Sequence, residues 1–191
     1  MSTITSSGKW TFFYKFLQSP KDVGSVIPSS SFLTERMLRP IDWAGTRAIA
    51  ELGAGTGVFT KAIHAQVRPG TKVAVFEKDE QMRGRLAEEY PEFSRFDNAG
   101  SLTGALRSMG LERVDCIVSG PPFANFAPEQ REKILGEVQA ALRPGGLFIA
   151  FQYSLQMKPL LQKRFDHVSI SFVPWNIPPL SYTYVSGCKG G

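Results

Sequence analysis

Residues Glu51-Leu52-Gly53-Ala54-Gly55-Thr56-Gly57 carry the densest chemical signal in the chain, because three glycines at alternate positions follow an apolar run. Glycine there lets the backbone turn tightly and come closer to a ligand than any side chain permits. Glu77, 20 residues beyond Gly57, closes the next apolar run, and its two oxygens suit a ribose diol. The spacing separates two nucleoside-binding chemistries. A dinucleotide turn, GxGxxG, would need its third glycine at position 58, which is Val58. The ExGxGxG spacing of a methyl-donor nucleoside site, with no pyrophosphate to hold, is the one present. The plain structural alternative is a tight strand-to-helix turn that holds no ligand.

Ligands of open α/β sheets sit beyond the carboxyl ends of the strands, where the strand order reverses. That rule brings Lys78 and Asp79 beside Glu77, then Asp97, Asn98 and Ala99 after the third apolar run, and Ser119 to Phe123 after the fourth. The segment from Glu51 to Gly57 resembles motif I of the class I S-adenosylmethionine (SAM) dependent methyltransferases. The resemblance implies that Gly53, Gly55 and Gly57 hold the amino-acid end of SAM. It also implies that Asp97 and the amide of Asn98 read the adenine edge. A strand-end turn residue is the alternative reading of Asp97. Glu51 is expected to contact the amino group of the donor, directly or through water, with Lys78, Ala99 and Ser119 lining the same pocket.

Methyl transfer asks little of acid or base groups, since the sulfonium carbon is already activated and its leaving group is neutral. Alignment, exclusion of water and a deprotonated nucleophile remain. An alkyl amine, with a pKa of about 10, needs surroundings that favour its neutral form, and burial against aromatics supplies them. Ser119-Gly120-Pro121-Pro122-Phe123 lies where amino-methylating enzymes of this class carry an Asn or Asp, two prolines and an aromatic. Gly120 takes the place of the hydrogen-bond acceptor. A conjugated amine needs that acceptor to draw out its lone pair, so a nucleobase or glutamine substrate is disfavoured. Phe123 is expected to face a cationic headgroup or the sulfonium, a contact worth about 0.5 to 2 kcal/mol; a core phenylalanine is the alternative.

These residues need a frame. From 47 to 186, short apolar runs alternate with longer amphipathic ones, the pattern of a parallel sheet covered by helices on both faces. Strands are expected at 47–52, 72–76, 94–96, 114–118, 146–152, 167–173 and 181–186, with helices near 58–66, 80–89, 102–109, 128–142 and 155–163. Pro128 marks a helix start and Gly145-Gly146 a helix end. Only 174–180 separates the last two strands, too short for a crossover helix, so they should pair antiparallel. The expected fold is a Rossmann-like α/β sheet of seven mostly parallel strands ending in an antiparallel pair.

At 191 residues and 42% hydrophobic content the chain has the size of one such domain, 1–191, with 1–40 as an N-terminal helical extension. Lys and Arg exceed Asp and Glu by 22 to 17, which favours a polyanion or an anionic membrane surface, or simply a soluble basic domain. Cys116 and Cys188 lack paired spacing, so neither a metal site nor a disulfide framework is expected, as in a reducing compartment. His64 falls inside a helix and is assigned no catalysis. No apolar run approaches the roughly 20 residues that span a bilayer, and no signal-peptide pattern opens the chain. The expected location is cytoplasmic, peripheral on the inner face of the membrane. The sequence sets no oligomeric state.

Residues 10–19, projected as a helix, gather Trp10, Phe12, Phe13, Tyr14, Phe16 and Leu17 into one broad apolar arc, with Lys9, Lys15 and Lys21 at hand. That composition suits an interfacial anchor on an anionic membrane through Trp10, Phe13 and Phe16; a helix that covers the sheet is the alternative. The run from Phe16 to Ser30, the 51–57 turn and Asn176-Ile177-Pro178-Pro179 together resemble the bacterial phospholipid N-methyltransferases over nearly the whole chain. The resemblance implies stepwise conversion of phosphatidylethanolamine to phosphatidylcholine, a membrane-bound N-terminal helix, and a pocket closed by Ser25, Ile27 and Pro28. The chain departs from the family in carrying two prolines at 121–122, where one is more usual.

Trp175, Tyr182 and Tyr184 flank the 176–179 segment and would cage a quaternary ammonium product, and either tyrosine hydroxyl would accept a proton from the amine or orient it; ordinary core packing of at least one tyrosine is the alternative. An RNA adenine dimethylase shares the SAM core, the basic charge and an aromatic near position 123. Gly120 and the lack of an additional basic helical domain count against it, and nucleic acid is not the expected partner. A SAM-binding protein that docks on membranes or a partner without turnover is a third reading, which fold alone does not exclude.

Overall fold

A computed structural model describes residues 27–120, 123, 126–152, 155–173 and 181–187, with the backbone alone described at 27–32, 173, 181–183 and 186. The chain runs α1 (Ile27–Leu38), β1 (Ala48–Leu52), α2 (Val58–His64), β2 (Lys72–Phe76), α3 (Glu80–Glu89), β3 (Ser94–Phe96) and α4 (Leu102–Ser108). It continues with β4 (Val114–Ser119), α5 (Pro128–Ala141), β5 (Leu142–Gln152), α6 (Lys158–Gln162), β6 (His167–Val173) and β7 (Ser181–Gly187). The seven strands form one sheet in the order β3-β2-β1-β4-β5-β7-β6. Pairing is parallel from β3 through β5, while β7 runs antiparallel to both β5 and β6. The expected Rossmann-like architecture is the one observed.

Strands buried on both faces read as continuous apolar runs, because neither face meets water. All five residues of β1 are buried, as are five of the six in β4. On one face Ala48, Ala50, Ile117, Phe148 and Ala150 pack with Leu102 and Leu106 of α4 and with Leu135, Val138 and Ala141 of α5. On the other, Ile49, Val75, Val118 and Phe151 pack with Met37 and Leu38 of α1, Phe59 and Ile63 of α2, and Leu86 of α3. Each fully buried Leu, Ile or Phe contributes about 1.5–3 kcal/mol of transfer free energy, which is what fixes the helices to the sheet. The strand order reverses between β1 and β4, whose carboxyl ends lie side by side through the pair Leu52 and Ser119.

Two elements differ from the sequence reading by more than one or two terminal residues. Strand β5 begins at Leu142, four residues before the expected start, because Leu142 pairs with Val114 while Leu147 pairs with Cys116. Arg143 to Gly146 form a bulge between those pairs, with Gly145 at φ 72°. The glycines that read as a helix stop therefore serve a strand irregularity. The single helix expected over 155–163 is a 3-10 turn, Leu155–Met157, followed by the short α6. Pro159, in the first turn of α6, has no N–H to continue the turn before it.

The N-terminal extension is helical over Ile27–Leu38, with Pro28 in the first turn, where a missing N–H costs nothing. The amphipathic segment 10–19 lies outside the described residues.

Candidate active site

The site is built at the carboxyl ends of β1, β2 and β4. Gly53, Gly55 and Gly57 have φ of 67°, 56° and 83°, left-handed values that a side chain would strain by about 1–2 kcal/mol each. The N–H groups of Gly53 and Ala54 both donate to the Phe76 carbonyl, at 2.7 and 3.0 Å, which anchors the turn to β2. A Cβ on Gly57 would lie 2.8 Å from the Leu86 side chain. The Gly120 N–H donates to the Leu52 carbonyl at 3.1 Å, and a Cβ there would sit 3.1 Å from the Gly53 carbonyl oxygen. A side chain at 120 would thus press on the glycine turn itself.

Two carboxylates face this turn in different states. Glu77 accepts from the Gly55 N–H at 2.7 Å and from the Asp79 N–H at 2.9 Å, one on each oxygen, while Arg83 donates to its carbonyl at 2.8 Å. The carboxylate is fixed at the rim, half-buried, and each oxygen keeps a further lone pair for a hydroxyl. Glu51 is fully buried; one oxygen accepts from the Thr60 hydroxyl at 2.7 Å, and the other has no partner among the described residues. Burial pushes its pKa up to about 7, against the opposing hydrogen bond from Thr60 and with a further push from the charge of Glu77. The hydroxyls of Thr56 and Ser119 are likewise buried without a partner among the described residues. Such orphans cost about 1–3 kcal/mol each. A ligand bearing an ammonium, a ribose diol and further polar groups matches this set, so the amino-acid and ribose ends of SAM fit the residues present.

The remaining sequence candidates spread around the same edge. Lys78 is exposed, and Asp79 caps α3 by accepting from the Met82 N–H at 2.9 Å. Asp97 is exposed just beyond β3, and Asn98 accepts from the Gly100 N–H at 2.8 Å, which shapes the turn holding half-buried Ala99. Phe123 is 1% exposed and packs edge-on to Phe126 and Phe148, with ring centroids 5.6 and 5.8 Å apart. Tyr184 is fully buried in the same core layer. Tyr182 sits opposite Gln152 in the backbone register, two pairs nearer the carboxyl end of β5 than Tyr184. Ile27 and Pro28 open α1. Ser25, Trp10, Phe13, Phe16 and Trp175 lie outside the described residues. His64 is away from this edge, 3.1 Å from the Glu92 carboxylate and against the rings of Tyr90 and Phe93.

Sequence reading missed Gln152. It ends the apolar run Leu147-Phe148-Ile149-Ala150-Phe151 and is fully buried. A lone amide at the carboxyl end of a central strand was the available signal.

A sheet in this order, with a glycine turn at its reversal point and a carboxylate after β2, defines a class I SAM-dependent methyltransferase. Residues 49–146 match the methyltransferase domain family. An ornithine lipid N-methyltransferase of Singulisphaera acidiphila is 33% identical over 183 residues, covering 93% of this chain and 95% of that one. The N-methyltransferase NodS of Bradyrhizobium japonicum, solved with S-adenosylhomocysteine, superposes with a TM-score of 0.73 at 13% identity, over 94% of this chain and 98% of that one. A Burkholderia thailandensis 1,6-didemethyltoxoflavin N1-methyltransferase, also with S-adenosylhomocysteine, gives 0.63 at 18% identity, over 95% of this chain and 87% of that one. The chain belongs to the bacterial lipid N-methyltransferases, SAM-dependent enzymes that methylate nitrogen.

Proposed function

We propose that this enzyme methylates the amine of a phospholipid headgroup, carrying phosphatidylethanolamine toward phosphatidylcholine at an anionic membrane surface. The observation that carries the lipid-amine acceptor is the identity of 33% to an ornithine lipid N-methyltransferase across 93% of the chain, while the choice of phosphatidylethanolamine rests on the resemblance of the 16–30, 51–57 and 176–179 segments to the phospholipid N-methyltransferases. Gly120 agrees with it, since no acceptor stands at that position to activate a planar amine. A saturated amine needs none.

SAM supplies an electrophilic methyl group with a neutral leaving group. Gly53, Gly55 and Gly57 hold its amino-acid end, Glu51 its ammonium, Glu77 its ribose, and Asp97 with Asn98 its adenine. Lys78, Ala99 and Ser119 line the pocket, and Ser25, Ile27 and Pro28 close it. The protein must then bring a neutral amine into line and exclude water. Tyr182, opposite Gln152 at the strand end, orients the amine. Phe123 and Tyr184, both buried, form the packed wall behind it, and their low polarity favours the uncharged amine. No helix among the described residues is long and apolar enough to cross a membrane, and the proposed attachment is through Trp10, Phe13, Phe16 and the nearby lysines.

The relative's own substrate makes an ornithine-type aminolipid the second reading. Purified protein is incubated with labelled SAM and anionic vesicles containing phosphatidylethanolamine, anionic vesicles containing ornithine lipid, or RNA, and the products are weighed by mass spectrometry. One to three methyl groups on phosphatidylethanolamine are expected. Label in ornithine lipid alone moves the substrate to the second reading, while label in RNA alone, or in nothing, overturns both. A chain with Trp10→Ala and Phe13→Ala, run alongside, should lose vesicle turnover while keeping its affinity for S-adenosylhomocysteine.

A further inference from the structure

We propose that Gln152 is a substrate-binding residue whose side-chain amide holds the headgroup, Oε1 accepting from an amine N–H and Nε2 donating to the neighbouring anionic oxygen. The proposal rests on the aminolipid reading above and names a contact for it.

Gln152 is fully buried, and both its Oε1 and its Nε2 are without a hydrogen-bond partner among the described residues. An amide buried in this way forfeits its bonds to water and is destabilising at each group left unmade. Leucine or methionine would fill the same space without that cost. The position is also specific. Gln152 is the last residue of β5, at the edge of the sheet that holds the glycine turn. By alternation it shares a face with Phe148 and Ala150, and therefore with Ser119, which pairs with Ala150. Tyr184 pairs with Ala150 and lies in this same core layer, and Tyr182 pairs with Gln152 itself in the backbone register. Glu51, one residue along from Ala50, falls on the opposite face with Thr60. The acid assigned to the cofactor and the free amide thus flank the carboxyl edge from its two sides.

The chemistry of an amide suits this task better than that of a carboxylate. Asp or Glu beside the amine would stabilise the ammonium and hold it protonated, whereas a neutral carbonyl accepts an N–H without favouring the charge. The paired donor and acceptor of one amide also match a zwitterionic headgroup, in which an amine lies a few bonds from a phosphate or carboxylate oxygen. An amine loses one N–H with each methyl added. The Oε1 contact is accordingly strongest for the unmethylated lipid and is gone for the neutral dimethylated one, while the Nε2 contact persists.

The test compares wild type with Gln152→Met on anionic vesicles containing either phosphatidylethanolamine or its N,N-dimethyl form, with ornithine lipid as a third substrate. For the unmethylated lipid that wild type uses, KM should rise about tenfold or more, the loss expected of one to two hydrogen bonds. The rise on the dimethyl lipid should be smaller, with S-adenosylhomocysteine affinity within about twofold of wild type and a Tm equal or higher, since an apolar side chain replaces orphaned polar atoms. Gln152→Asn, which draws the amide back by one methylene, is the second variant and should raise KM in the same order of substrates. Equal KM values for variant and wild type overturn the proposal. So does a parallel fall in S-adenosylhomocysteine affinity and Tm, which marks a structural amide. Failure of wild type to methylate any of these lipids overturns the aminolipid reading and this contact with it; an active wild type with an indifferent variant overturns the contact alone.

Discussion

Asp115 and Glu51 sit at opposite ends of the same central strands, and the protein treats their charges in opposite ways. At the amino end, Asp115 accepts from the Arg47 and Ala48 N–H groups at 2.8 and 2.9 Å and from the Arg143 guanidinium. Burial acts to raise its pKa, but those three partners outweigh it and hold the carboxyl below its usual value. The start of β1, β4 and the start of β5 are thereby tied together. At the carboxyl end, Glu51 has one donor, one free oxygen and a pKa of about 7. Among the described residues six buried side-chain atoms lack a partner, and five of them belong to Glu51, Thr56, Ser119 and Gln152. One edge of the sheet closes its polarity within the protein; the other keeps it open for ligands.

The sharpest way to break this contrast is Glu77→Ala. It removes the acceptor of Gly55 and Asp79 together with the acid assigned to the ribose. Hydrogen bonds to a charged group contribute about 1.5–3 kcal/mol each, so titration calorimetry should show S-adenosylhomocysteine binding weakened on the order of a hundredfold. Unchanged affinity would leave the carboxyl edge no different from the amino edge.

Asp115→Ala tests the other side. Two strand-end N–H groups and an arginine lose their acceptor, and thermal unfolding should report a loss of about 1–3 kcal/mol, with S-adenosylhomocysteine affinity unaltered. A fall in affinity as large as that from Glu77→Ala would show that the two ends are not independent.

Glu51→Gln has the smallest expected effect and the most particular one. Because the folded pKa of about 7 lies above the ordinary 4.5, the native state holds the proton that the unfolded chain releases. The contribution of Glu51 to stability is fully present below pH 4.5 and is lost as pH rises through about 7. The variant should lack that slope. An ammonium favours the ionised carboxyl, so wild-type affinity for S-adenosylhomocysteine should strengthen as pH rises toward 7, while the variant responds less. Parallel pH profiles for the two proteins would remove Glu51 from the ligand.

Much of this architecture was legible in the residues alone. The alternation of apolar runs fixed seven strands in sequence order, and the short 174–180 connection required the antiparallel end. The spacing of Gly53, Gly55 and Gly57 specified a turn that only left-handed backbone could make, because each glycine answers a local demand on φ. Glu77 was marked by its distance from that turn. Tertiary structure decided what depends on distant segments. Whether Phe123 and Tyr184 are packed away is set by helices and strands far off in sequence, and whether an oxygen of Glu51 finds a donor is set by how α2 folds back against β1 to bring Thr60 to it. The bulge at Arg143 to Gly146 arises from the register against β4. Gln152 gained its meaning in the same way: the sequence made it one polar residue after five apolar ones, and only the closing of the sheet around it left an amide buried without a hydrogen-bond partner among the described residues.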